Sequence, residues 1–215
     1  MIAFIKKLQK NNRKGWIDEN RLSYDSARKE FESMIGDIIK SISAFDSSIK
    51  NVEPKSCIFR INRDVRFSKD KSPYKTNFAA YIHADGKKGG GAGYYLHMEP
   101  GASFLAAGIW MPEPELCAAI RQEIDYQFDE WKSIINKSSF KKHFTDGLDQ
   151  SMKLSRPPKG YDETNPAITY LKLKSFIVRK NIPDTIWNDD ERTTFITSAL
   201  KAAKPMIDFL NRAKE

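Results

Sequence analysis

Between positions 19 and 45 apolar residues recur every three or four places. Tyr24, Phe31, Met34, Ile35, Ile38, Ile39, Ile42 and Phe45 would therefore share one side of a helix. A short apolar helix is expected before it. The period then changes. "CIFRI" at 57–61 is short and β-prone, and "NFAAYIHA" at 77–84 alternates. The glycine-rich "DGKKGGGAG" at 85–93 leads into "YYLHMEP" at 94–100, and a Pro-Gly turn leads into "ASFLAAGIW" at 102–110. Successive strands joined by turn residues predict an antiparallel meander. Helical spacing returns over 113–136 through Leu116, Ile120, Ile124, Phe128, Trp131 and Ile135, with Glu113 and Glu115 at the positive end of the helix dipole. Strand candidates at 151–155, a "RPPKG" turn at 156–160, a short helix opened by Asn165-Pro166 and a strand "SFIVR" at 175–179 follow. Residues 189–214 read as a helix broken at Pro205. With no internal repeat and no linker, the expectation is a single α+β domain over 1–215, a mainly antiparallel sheet packed by helices.

Composition adds limits. An apolar share of 40%, including 12% aromatic, is enough for a core and excludes a disordered chain. Cys57 and Cys117 lie far apart in apolar runs, so they are expected to be buried and free, which fits a reducing compartment. The start "MIAFIKKLQK" reaches lysines too early for a secretory apolar core, and no apolar run spans a bilayer. The expected location is the cytoplasm, with no membrane partner.

The net charge of +8 is uneven: residues 51–88 carry +5, 89–131 carry −6 and 132–180 carry +7. The densest basic stretch, "RDVRFSKDKSPYKTNF" at 63–78, follows Arg60 and holds only Asp64 and Asp70 against its cations. Arginine forks and lysine point charges are the groups that hold phosphate or carboxylate. Arg63, Arg66, Lys69 and Lys75 are the ligand candidates, with Ser68 and Tyr74 as hydrogen-bond partners. Phe67 and Pro73 read as packing and turn residues. If there is catalysis, Asp64 or Asp70 is the acid-base candidate. The alternative is that the two acids simply neutralise their neighbours.

Alternation places His83, His97, Tyr81, Tyr95 and Glu99 on one face of a hairpin, with Phe78, Ala80, Ile82, Leu96 and Met98 on the core face. His83 and His97, with Glu99, form the alternative to the expectation of no metal. Other matches fail on context. "SKDK" has a serine-to-lysine spacing, but Pro73 follows too closely for the helix such a mechanism needs. "GKKGGGAG" lacks phosphate-loop order, and "EWK" at 130–132 lies in a core-facing helix. The cofactor is left unknown by the sequence.

The stretch "FRINRDVRFSKDKSPYKTNFAAYI", with "NNRKGWIDENR" at 11–21, "EPGASFLAAGIWMPEPE" at 99–115 and "RPPKGYDETNPAITYLKLKSF" at 156–176, resembles a conserved-hypothetical family, a domain of unknown function found in bacteria and fungi. Members often show "NNREWF" and "HP" where this chain has Lys14-Gly15-Trp16-Ile17 and Asn165-Pro166, so no imidazole stands at 165. The resemblance implies one α+β domain and points to residues 63–75, without supplying a reaction. Three readings follow: binding of a phosphate-bearing or other anionic small molecule at 60–76, a nucleic-acid-binding module using both basic blocks, or a protein-interaction domain using the acidic middle.

Overall fold

The long apolar stripe becomes a helix that supports a sheet. The computed structural model describes residues 1–213 of the 215. Helices α1 (Ile2–Lys10), α2 (Lys14–Glu19), α3 (Arg21–Ile42) and α4 (Pro54–Cys57) precede strands β1 (Phe78–Ile82), β2 (Gly93–Met98) and β3 (Phe104–Ile109). Helices α5 (Pro114–Tyr126), α6 (Phe128–Asn136), α7 (Ser138–His143) and α8 (Ile168–Leu171), strand β4 (Phe176–Asn181) and helix α9 (Arg192–Arg212) complete the chain. The four strands form one antiparallel sheet in the order β1-β2-β3-β4, so the fold is α+β with a meander at its centre.

Contacts cluster into two units. The first comprises Met1–Lys88, Tyr95–Leu105 and Asn181–Thr197; the second comprises Gly89–Tyr94, Ala106–Lys180 and Ser198 onward. In the first unit the apolar side of α3 is buried through Tyr24, Phe31, Met34, Ile35, Ile38, Ile39 and Ile42. Phe78 of β1 lies between rings, 5.3 Å from Phe31 and 6.4 Å from Phe4. Each such side chain contributes on the order of 1.5–3 kcal/mol by leaving water. The expected split of the hairpin holds except at His83. Phe78, Ala80, Ile82, Leu96 and Met98 are buried and Tyr81, Tyr95, His97 and Glu99 are partly exposed, but His83, expected on the polar face, is buried past the end of β1.

Several expected elements come out differently. Residues 57–61 do not form a strand. Pro54 opens a helical turn that ends at Cys57, and only Ile58 bridges to Ala80 before the chain departs. Likewise 151–155 provides one bridge, Lys153 to Leu173. The helix expected over 113–136 breaks at Gln127, whose φ of −110° and ψ of 39° leave the helical region. The break re-aims α6, so that Trp131 is fully buried, 5.0 Å from Phe209 and 5.8 Å from Tyr170. Helix α9 continues through Pro205. Pro205 and Lys201, whose carbonyl loses its partner, both lie on the exposed side, where water can replace the missing bond. The expected end at Lys214 falls outside the described residues.

Two backbone positions matter for the sites. Gly108 in β3 has φ +118°, and a Cβ there would overlap the Phe176 carbonyl oxygen, so no other residue fits. Met111, just after β3, has φ +45°, a left-handed conformation that costs a residue with a side chain on the order of 1–3 kcal/mol. Cys57 and Cys117 are free and buried. Among the described residues no helix is long and apolar enough to cross a membrane.

Candidate functional site

The basic loop divides into a tip and a base. At the tip, Asp64 accepts from Arg66 in a two-pronged pair, 3.0 Å from Nε and 2.7 Å from Nη2. Asp70 pairs with Arg63, which also donates to the Ser68 hydroxyl at 3.4 Å, and accepts from the Ser72 amide at 2.9 Å. Hydrogen bonds from Arg66 hold the Asp64 carboxyl below the usual range; those from Ser72 and Arg63 do the same for Asp70. Carboxylates held in this way are weak bases near neutral pH. The arrangement suits Asp64 and Asp70 to neutralising Arg66 and Arg63 rather than to proton transfer.

Phe67, expected to pack, is instead 96% exposed, with the Arg66 guanidinium 5.8 Å from its ring centre. Tyr74 differs from expectation in the other direction. It is buried, and its backbone is clamped by Asn12, which donates to its carbonyl at 2.9 Å and accepts from its amide at 3.1 Å. Lys69 is exposed and makes no ion pair among the described residues.

At the base the charges are not matched. Lys75 is half-buried, with its ammonium 5.5 Å from the Phe59 ring centre, and it has no carboxylate partner among the described residues. Burial, and then the neighbouring Arg60 charge, push its pKa down. Phe59 lies 6.3 Å from Tyr95, which begins a connected group on the polar side of β2. The Tyr95 hydroxyl is 3.1 Å from His97 Nδ1, His97 Nε2 is 3.0 Å from Glu99 Oε2, and Thr76 donates to Glu99 Oε1 at 2.8 Å. Phe104 stacks on the imidazole at 4.8 Å.

The sequence builds this group locally. Residues 95, 97 and 99 share a face because strand side chains alternate. Pro100 and Gly101, with φ +74° at the glycine and an Ala102 amide bonded to the Glu99 carbonyl at 3.0 Å, form a type II turn. Buried Ser103 then fixes Glu99 from the far side of the turn. Its hydroxyl accepts from the Glu99 amide at 2.9 Å and from Trp187 Nε1 at 3.1 Å, and it donates to the Glu99 carbonyl at 2.7 Å.

The partners also fix the neutral tautomer of His97. Asn77 Nδ2, 3.4 Å from Nδ1, is a donor, as the Tyr95 hydroxyl can be, so the imidazole hydrogen belongs on Nε2, facing Glu99. Burial, and next Glu99, raise the Tyr95 pKa, so the phenol stays protonated and able to donate. The result is an ordered path for hydrogen bonds from Tyr95 to Thr76. His83 is elsewhere: it follows the end of β1, stacks on Tyr81 at 6.0 Å and accepts from the Asp85 amide at 3.1 Å, whereas His97 contacts Asn77 before the start of that strand. Among the described residues no group of three or more His, Cys, Asp or Glu could hold a metal ion. Alternation alone pointed to Tyr95, His97 and Glu99. Asn12, Phe59 and Phe104 join through contacts that no local pattern announces.

The chain belongs to the DUF2461 family of conserved hypothetical proteins. The family profile matches residues 1–209. It therefore spans the loop, its base and the β2 face together. No curated protein and no solved structure matches the chain.

Proposed function

We propose that this DUF2461 protein binds a small molecule through a phosphate or similarly compact anionic group at the base of the 60–76 loop. Lys75 and Arg60 are the primary anchors, and Lys69 is an accessory cation. The observation that carries this reading is the half-buried Lys75 ammonium without a carboxylate partner among the described residues. A half-buried ammonium beside the Arg60 charge, with no carboxylate of its own among the described residues, is unfavourable, and an anion would relieve it. Arg63 and Arg66 can join only by giving up Asp70 and Asp64, so they contribute less. The Tyr95–His97–Glu99 group lies beyond Phe59 and supplies hydrogen bonds to the neutral part of the ligand.

The experiment is a thermal-shift titration with inorganic phosphate, pyrophosphate, sugar phosphates, mononucleotides and a short oligonucleotide, on wild type, Lys75→Met and Arg66→Met. A ligand at 100 times its Kd stabilises by about 2.7 kcal/mol. The expected result is a shift with one class of small phosphate, lost in Lys75→Met and kept in Arg66→Met. A response confined to the oligonucleotide, falling steeply with salt, would replace this reading with nucleic-acid binding. Equal responses from the two variants would overturn the assignment to the base.

A further inference from the structure

A second uncompensated cation lies in the other unit. Arg121 is the one basic residue between positions 89 and 131, a stretch that carries seven acids. Despite those acids, it makes no ion pair among the described residues. One Nη donates to the Leu173 carbonyl at 2.8 Å, and Nε is buried with no partner. The nearest acid along its helix face, Asp125, accepts instead from Asn165 Nδ2 at 2.7 Å. Glu123 and Glu130 are engaged by Arg212 and Asp125 by Asn165, so none of these acids takes the Arg121 charge, and its Nη donors beyond the one on Leu173 are suited to an outside acceptor.

The same unit carries an exposed apolar pair. Trp110 and Met111, 57% and 47% exposed, are adjacent, whereas the other exposed large apolar side chains, Leu22, Phe67 and Tyr126, stand singly along the chain. Met111 is the non-glycine residue with positive φ among those described, and its amide is pinned to Ser175 Oγ at 3.0 Å. Ser175 stands two residues from Leu173, about 7 Å along an extended chain. The strained turn and the Arg121 guanidinium are therefore docked on neighbouring points of one segment. The Tyr161 hydroxyl lies within electrostatic reach of Arg121 and Asp125. Backbone strain kept in an ordered turn, with an indole left in water, is the kind of outlier from which function is inferred.

We infer that Trp110 and Arg121 form a binding site for an aromatic monocarboxylic acid, its ring on the Trp110 indole and its carboxylate on the Arg121 fork. An indole face favours a planar ring, and a guanidinium matches a carboxylate edge to edge. Asp125, one turn further along α5 and within the same electrostatic reach of Tyr161, disfavours a doubly charged group beside Arg121, which separates this ligand class from the phosphate proposed for Lys75. The inference does not depend on that proposal, because it uses none of its residues.

The test uses benzoate and indole-3-carboxylate as probes, with benzyl alcohol and phenyl phosphate as controls. Binding is followed by the Trp110 indole NMR resonance, assigned with Trp110→Phe, and by calorimetry. Both carboxylates should move the resonance saturably, benzyl alcohol should not, and phenyl phosphate should bind at least about tenfold more weakly. Trp110→Ala and Arg121→Gln should each weaken the carboxylates about tenfold or more, while Lys75→Met leaves them unchanged. Trp110 is exposed, so its removal leaves the fold intact and decides the matter should Arg121→Gln unfold. No movement up to about 5 mM, which would occupy sites of millimolar Kd, overturns the inference. So does binding that is indifferent to Trp110→Ala, or that follows benzyl alcohol equally.

Discussion

The tip and the base of the basic loop contain the same residue types within a dozen positions, yet their physical states differ. At the tip, Arg63 and Arg66 each have an acid within hydrogen-bonding distance, and both acids are exposed to solvent. Such pairs are screened by water and salt and contribute little. At the base, Lys75 is half-buried with no acid, Tyr74 is buried, and a partner from the other end of the unit holds the backbone. Density of positive charge therefore does not locate a binding site. The proposed site rests instead on charge left unmatched where water is partly excluded.

The largest expected effect tests whether the base is a built structure. Asn12→Ala removes both hydrogen bonds to the Tyr74 backbone. Leaving a buried amide and carbonyl without partners should cost about 2 kcal/mol, lowering Tm by roughly 4–8 °C for a chain of this size. Chemical denaturation measures it. A loss no greater than that of Arg66→Met would make base and tip alike. Next in size is the ligand response: Lys75→Met should weaken the phosphate probe at least tenfold, about 1.4 kcal/mol, while Arg66→Met changes it less than about twofold.

Glu99→Ala sharpens the comparison from the β2 side. Ser103 still holds the turn through the Glu99 backbone, so the change removes chiefly the acceptor for His97 Nε2 and for Thr76. The expected cost is about 1 kcal/mol. In wild type the neutral imidazole should show the 15N shifts of the Nε2–H tautomer, and the variant those of a mixture. A mixed tautomer already present in wild type would mean that the chain of hydrogen bonds does not order His97.

Features set by short-range periodicity were legible in the sequence. The α3 stripe, the alternation of β1 and β2, the Pro100-Gly101 turn and the face shared by Tyr95, His97 and Glu99 all follow from spacings of two to four residues. What escaped depends on distant partners or on one backbone angle. Asn12 meets Tyr74 across 62 positions. Nothing in Tyr126-Gln127-Phe128 marks the helix break, and Phe67 reads as a core residue until the structure leaves it in solvent. Charge pairing was partly visible, since Asp64 and Asp70 stand among the arginines. Which arginine each holds, and that Lys75 is left over, is decided by how the loop folds back on itself rather than by spacing along the chain.

The smallest effect belongs to the tip, and its direction follows from linkage. Asp64 and Asp70 titrate lower in the folded protein than in the unfolded chain. Stability from such groups is complete above the unfolded carboxylate pKa of about 3.9 and is lost as pH falls below it toward the folded values. On acidification from about pH 6 to 4, backbone amide shifts over 63–72 should hold steady; below that range they should move first, before those of Tyr74, Lys75 and Thr76. At neutral pH, Arg66→Met and Phe67→Ser should leave Tm within measurement error, because both side chains are exposed and neither supports the core. A clear fall in Tm for either variant would show that the tip carries stability after all. The distinction between a self-neutralised tip and an uncompensated base would then have to be redrawn around Arg63 and Asp70.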